Sequence, residues 1–183
     1  MMLDQSLTFV SPNGAAQSMV GAAGVAIPLN NVLDILGTGV GTPPAVVIGN
    51  RALFGQDMGL GVWKPEIEIN IGAAFVTGTS ATANFSVEVA PDTGAAGSYQ
   101  PGTWEIAAET GPKPASELTA GQVLRMAMPP APPNTLTPRF YRMVMNVPAA
   151  TDFTAGTVSG AFIVQGRDDL QSARQATSNY SVR

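Results

Sequence analysis

Glu66 and Glu68 stand two residues apart, a spacing that puts both side chains on one face of an extended strand, where paired carboxylates can do acid/base work. They alternate with Ile67, Ile69 and Ile71, so a half-buried strand turns them outward, to solvent or to a subunit contact. Gly37-x-Gly39-x-Gly41 lets backbone amides approach a phosphate. No Gly-Lys-Ser/Thr follows it and Pro43-Pro44 stands against a helix start, so it reads as a turn. Asp168 and Asp169 offer oxygen ligands without the spacing of a calcium loop. Arg139, Arg142, Arg167 and Arg174, with Phe140 and Tyr141 beside the first two, are types that meet phosphates and stack on bases. In a chain of net charge −4, bidentate pairing with carboxylates of a partner chain is the preferred role for these arginines.

No nucleophile with a partner base emerges. Histidine is absent, which removes the commonest general base and the usual nitrogen ligand for zinc, copper or iron. Cysteine is absent too, so neither a disulfide nor a thiolate-held metal is needed for folding, which suits assembly in a reducing cytoplasm. The expectation is a protein that is not an enzyme and takes no cofactor. Two lysines and seven arginines form no basic footprint, so no nucleic-acid partner is expected. Met1-Met2-Leu3-Asp4 lacks the marks of a signal peptide, and no run approaches the ~20 apolar residues of a membrane helix. A soluble, unexported chain without a membrane partner is expected.

The elements that must carry these residues are short strands. Glycine (20) and proline (15) interrupt nearly every helix-length window of the 183 residues. Strands are expected at Leu7 to Val10, Val25 to Leu29, Ala45 to Ile48, Glu66 to Ile71, Asn84 to Val89, Thr103 to Ala108, Val123 to Met128, Arg139 to Val147 and Thr157 to Gln165. Val32 to Leu36 suits either a strand or one helical turn. The strands at 66–71 and 84–89, separated by Thr77-Gly78-Thr79-Ser80, read as antiparallel neighbours. In Arg139–Val147, Tyr141, Met143, Met145 and Val147 form one wholly apolar face, the expected core side. Asn84-Phe85-Ser86 matches a glycosylation pattern that a strand position makes incidental.

This order describes an all-β fold, a β-sandwich or jelly roll, with no strict internal repeat. The expected organisation is an extended arm over 1–24, a β-domain over 25–166 and a polar tail over 167–183, with one short helix capped by Asp168. Charged residues make up 12% of the chain, about half the usual ~25%. Either the chain is poorly solvated alone or its surface is largely covered by partners; the second is the preferred reading, because interface cores are depleted in charge. The candidate interface residues are Phe54, Met58, Arg139, Arg142, Phe153, Arg167 and Arg174. Trp63 and Trp104 are mainly core candidates.

Arg139-Phe140-Tyr141-Arg142-Met143, followed by Asp152-Phe153-Thr154-Ala155-Gly156-Thr157-Val158-Ser159, resembles the C-terminal strand pair of the capsid cement, or decoration, proteins of short-tailed bacteriophages, typified by a Bordetella phage cement protein. Asn31-Val32-Leu33-Asp34-Ile35-Leu36-Gly37 is an earlier echo, after a small-residue arm. The order of elements agrees nearly end to end. The chain is longer than the family around 50–62 and 91–135, and carries an extra tail after Gly166. The resemblance implies a jelly-roll-like β-fold on the outer capsid surface of the virion, made in the host bacterial cytoplasm. There it would bridge major capsid protein subunits as a homo-oligomer, a dimer or trimer, and would not touch the DNA. Residues 1–24 and 167–183 would be arms that order on binding. A head-fibre or tail component and a carbohydrate-binding module using Trp63 or Trp104 are the competing roles.

Overall fold

A computed structural model describes residues 8–34, 46–48, 51–53, 65–94, 100–127 and 139–165. Its regular elements are strands β1 (Thr8–Val10), β2 (Gln17–Ser18), β3 (Ile27–Pro28), β4 (Leu33–Asp34), β5 (Val46–Ile48), β6 (Arg51–Leu53), β7 (Pro65–Val76), β8 (Thr82–Ala90), β9 (Glu105–Glu109), β10 (Lys113–Pro114), β11 (Val123–Ala127), β12 (Phe140–Asn146) and β13 (Ala155–Gln165). A single 3-10 turn, Ala115–Glu117, is the helical exception among the described residues.

Two antiparallel sheets pack into a β-sandwich. The first runs β1-β13-β7-β11, with β2 also on β13. The second runs β10-β8-β12-β3, with β9 also on β8 and β4 also on β12. Long central strands are thus flanked by pairs of short ones, which leaves little continuous edge for unwanted pairing. β5 and β6 pair with each other as a separate ribbon. The all-β expectation holds, and the sandwich is its architecture.

One core lies between the sheets. Ile67, Ile69, Ile71 and Phe75 of β7 face Phe85, Val87 and Val89 of β8 and Tyr141, Met143 and Met145 of β12, all nearly free of solvent contact. Strict alternation in the sequence dictates this, since strand side chains point to opposite faces in turn. Each such buried side chain contributes about 1.5–3 kcal/mol. β12 is covered on both faces, however: Phe140 and Val144 are buried as well, outside the central cluster.

Two expectations are corrected. β7 and β8 are not neighbours: β7 pairs with β13 and β11, whereas β8 pairs with β12, β9 and β10. Residues 77–81 carry the chain across from one sheet to the other. There the Thr77 hydroxyl donates to the Asp152 carbonyl at 2.8 Å and accepts from the amides of Thr79 and Ala81. Both strands own an apolar face, and the two faces bury each other across the core instead of lining one sheet.

The second correction concerns the arm over 1–24. From Thr8 onward it belongs to the sandwich: β1 and β2 pair with β13, and Phe9, Val10 and Met19 are core residues. Side chains then stitch this edge to the second sheet. The Gln17 amide nitrogen donates to the Pro28 carbonyl, and its oxygen accepts from the Asn30 amide, each at 2.8 Å. The Asn31 side chain donates to the Thr8 carbonyl at 3.0 Å.

β13 slips register against β7 three times between Ala155 and Gly160. Hydroxyls complete the ladder there: Thr157 Oγ1 accepts from the Ala73 amide, and Ser159 Oγ donates to the Asn70 carbonyl. Gly156 has φ +144°, and a Cβ on it would lie 2.7 Å from the Phe75 ring. Only glycine lets that ring seat. The polar tail, with the short helix expected at Asp168, lies outside the described residues, as do residues 1–7.

Candidate interface and its ion-pair cluster

The second sheet carries one ion pair on its outer face and an ion-pair cluster at one end. β8 and β12 place Arg142 directly opposite Glu88. The Arg142 Nε and Nη2 both reach Glu88 Oε2 at 2.6 Å. Trp104, just before β9, lies under the Arg142 guanidinium, 4.3 Å from ring centroid to Cζ. Such a stack adds to the pair's attraction and occupies one face of the indole. Beside it the Asn146 amide donates to Ser86 Oγ at 2.8 Å, so the buried Ser86 hydroxyl is satisfied.

At the end of the sandwich where β8 finishes and β12 begins, Arg139 is 7% exposed. It grips Asp34 with its fork, Nε to Oδ1 and Nη2 to Oδ2, both at 2.8 Å. Its third donor, Nη1, reaches Asp92 Oδ2 at 2.7 Å. Asp92 Oδ1 accepts from the amides of Gly94 and Gln100, which closes the base of that loop. One guanidinium therefore ties β4, β12 and the loop after β8. The bidentate geometry fits a planar guanidinium and not an ammonium.

Electrostatics follow from these contacts. The Arg139 pKa is pushed up, first by its hydrogen bond to Asp34 and further by the charges of Asp34 and Asp92, against its own desolvation. Burial works to raise the Asp92 pKa, but the Gly94 and Gln100 amides and Arg139 outweigh it and hold the carboxyl below its ordinary value. Tyr141 is raised by desolvation in the core.

Of the seven candidate interface residues, three are described. Arg139 makes the bidentate pairing expected of it, but with carboxylates of its own chain. Arg142 likewise pairs internally while staying part-exposed, its side chain 29% accessible. Phe153 is corrected outright: it is 2% exposed and packs edge-on against Phe75, ring centroids 5.1 Å apart. A loop residue is drawn inward here because the 148–154 loop folds back over the core end, with the Thr154 amide on the Val76 carbonyl. Phe54, Met58, Arg167 and Arg174 lie outside the described residues, as does Trp63. Glu66 and Glu68 share the outward face of β7 as the alternation requires, and Glu68 pairs with Arg125 of β11 at 3.1 Å.

Asp34 and Asp92 were not singled out in the sequence as partners of Arg139. Asp34 carries one signal, as the lone charge inside the apolar run Val32 to Leu36. Asp92, in a turn-rich stretch, carried none. Among the described residues no cluster of acidic side chains is arranged to hold a metal ion, and no helix is long and apolar enough to cross a membrane. The chain matches no protein-family model and no curated protein sequence.

Proposed function

We propose that this chain is a non-catalytic structural protein that works by packing against other protein chains, as a cement protein on the outer surface of a tailed-phage capsid. In that role it bridges neighbouring major capsid protein subunits, and its sandwich is of the jelly-roll kind.

The observation that carries the reading is the distribution of charge on the sandwich. Residues 5–33 and 69–87 contain no ionisable Asp, Glu, Lys or Arg, although many of their described residues are exposed. Val20, Val25, Val32, Val76, Ile106 and Val123 stand exposed. Where arginines do occur in the second sheet they are spent on internal carboxylates. A surface this poor in charge gains by being covered, and many copies on a lattice multiply a modest contact through avidity.

The test is the composition of purified particles from the source of this gene. The protein is expected in many copies per particle and labelled by a membrane-impermeant amine reagent before the shell is opened, through Lys113, whose side chain is 33% accessible. Its absence from particles, or labelling only after disruption, contradicts the reading.

A further inference from the structure

Between β1 and β2 the chain reverses through Ser11-Pro12-Asn13-Gly14. The Gly14 amide donates to the Ser11 carbonyl at 3.1 Å, which closes a β-turn with proline at its second position. Asn13 and Gly14 both stand exposed. They are the one asparagine–glycine pair of the chain; every other asparagine precedes a residue that has a Cβ. That difference bears on reactivity. An asparagine carboxamide can be attacked by the backbone nitrogen of the next residue, and a side chain on that residue shields the nitrogen and restricts the rotation the attack requires. Elsewhere the carboxamides are tied down. Those of Asn31, Asn84 and Asn146 donate to the Thr8 carbonyl, to Glu109 and to Ser86 Oγ, and Asn70, Asn84 and Asn146 lie within paired strands.

We propose that Asn13 is a site of spontaneous covalent modification, which converts through a cyclic imide to isoaspartate and loosens the sheet edge formed by β1 and β2. The Gly14 amide gives its proton to hydroxide and its nitrogen bonds to Asn13 Cγ. The carboxamide nitrogen takes a proton back from water and leaves as ammonia. Water then adds to one of the two carbonyls of the five-membered imide. Cleavage of the bond from nitrogen to Cγ yields aspartate; cleavage of the bond to the α-carbonyl yields isoaspartate, whose main chain runs through Cβ and Cγ. No oxidant or reductant takes part.

The fold admits the first step and gives the product a consequence. The attack needs the Gly14 amide to swing away from Ser11, and a single hydrogen bond in an exposed turn is the class of contact that opens most often. β1 and β2 both pair with β13, and Pro12 seats the turn against that strand: its Cβ lies 3.2 Å from where a Cβ on Gly160 would be. An extra main-chain carbon and a new carboxylate thus enter beside the edge of the first sheet, in a stretch, 5–33, that holds no charge. The inference stands apart from the capsid role and holds or fails without it.

Ageing the folded full chain at mildly alkaline pH tests it, with peptide mapping by mass spectrometry and labelling by an isoaspartyl methyltransferase. Isoaspartate is expected at Asn13, with the other described asparagines intact, and its rate should rise with pH because the attacking amide must lose a proton. The aged parent should unfold at a lower temperature than fresh protein. Gly14→Ala should lose the isoaspartate signal and keep its thermal midpoint on ageing. The fold tolerates that alanine, since Gly14 is not in the left-handed region and its Cβ would lie 3.4 Å from the Ser11 carbonyl oxygen, an ordinary contact. If Gly14→Ala fails to fold, Asn13→Ser replaces it by removing the carboxamide. Asn13 left intact in the folded chain, while chain unfolded in guanidinium chloride converts, overturns the proposal. So does conversion that continues undiminished in Gly14→Ala, or a thermal midpoint that ageing at Asn13 leaves unchanged.

Discussion

Two residues carry constraints that a substitution can read. Gly156 sits under the Phe75 ring with a backbone conformation that L side chains rarely adopt. Gly156→Ala must therefore either distort β13 or unseat Phe75, which also loses its edge-on contact with Phe153. The expected cost is about 2–4 kcal/mol, read as a thermal midpoint lowered by roughly 5–12 °C. Arg139→Met keeps the stem and removes the charge, which leaves Asp34 and Asp92 without their shared cation. Loss of one partner from a buried pair costs about 3–5 kcal/mol; the carboxylates here are part-exposed, 23% and 22% by side chain, so about 2–3 kcal/mol is expected.

The same site sets a pH dependence. Because the folded Asp92 pKa is held below the ordinary value of an aspartate, its contribution is present above that value and is lost as pH falls through the folded pKa. Acid titration of the parent should show this loss below about pH 4. Arg139→Met should lose part of that acid dependence while being less stable at neutral pH, and an unchanged acid profile in the variant would show that Arg139 does not set it.

Elements were legible in the sequence to the degree that one face of each is buried. Strands β7, β8 and β12 announce themselves through alternation, and their core residues follow directly from it. Partnership was not legible. The turn at 77–80 looks like a hairpin connection, yet it joins strands of different sheets, because alternation fixes which face is buried and not which strand lies alongside. The N-terminal stretch misled for the opposite reason. Its small polar composition reads as a free arm, whereas two-residue and three-residue strands anchored by Gln17 and Asn31 make it a sheet edge. Phe9, Val10 and Met19 supply its hold on the core.

Deletion of residues 1–24 is consequently expected to abolish cooperative unfolding and expose the β13 edge, with aggregation as the visible result. A truncated chain with a parental thermal midpoint would return residues 8–24 to the status of an arm. The milder Gln17→Ala removes both of the bonds that Gln17 makes across the seam and should cost about 1–2 kcal/mol.

At the scale of the molecule, the candidate site was half legible. Arg139 and Arg142 could be picked out as bidentate arginines, because guanidinium chemistry in a charge-poor chain draws notice. Their partners could not, since Asp34 lies 105 residues from Arg139 in sequence and Asp92 lies 47. The outcome inverts their expected role. They fasten the sandwich from within, and the large apolar side chains exposed among the described residues are mostly valines.

The central claim is tested most directly by heating particles with and without this protein and following release of their DNA by dye fluorescence. Particles that carry it should hold their DNA to a higher temperature, and adding purified protein back to depleted particles should restore the difference. Identical release temperatures in all three samples would contradict a cement role.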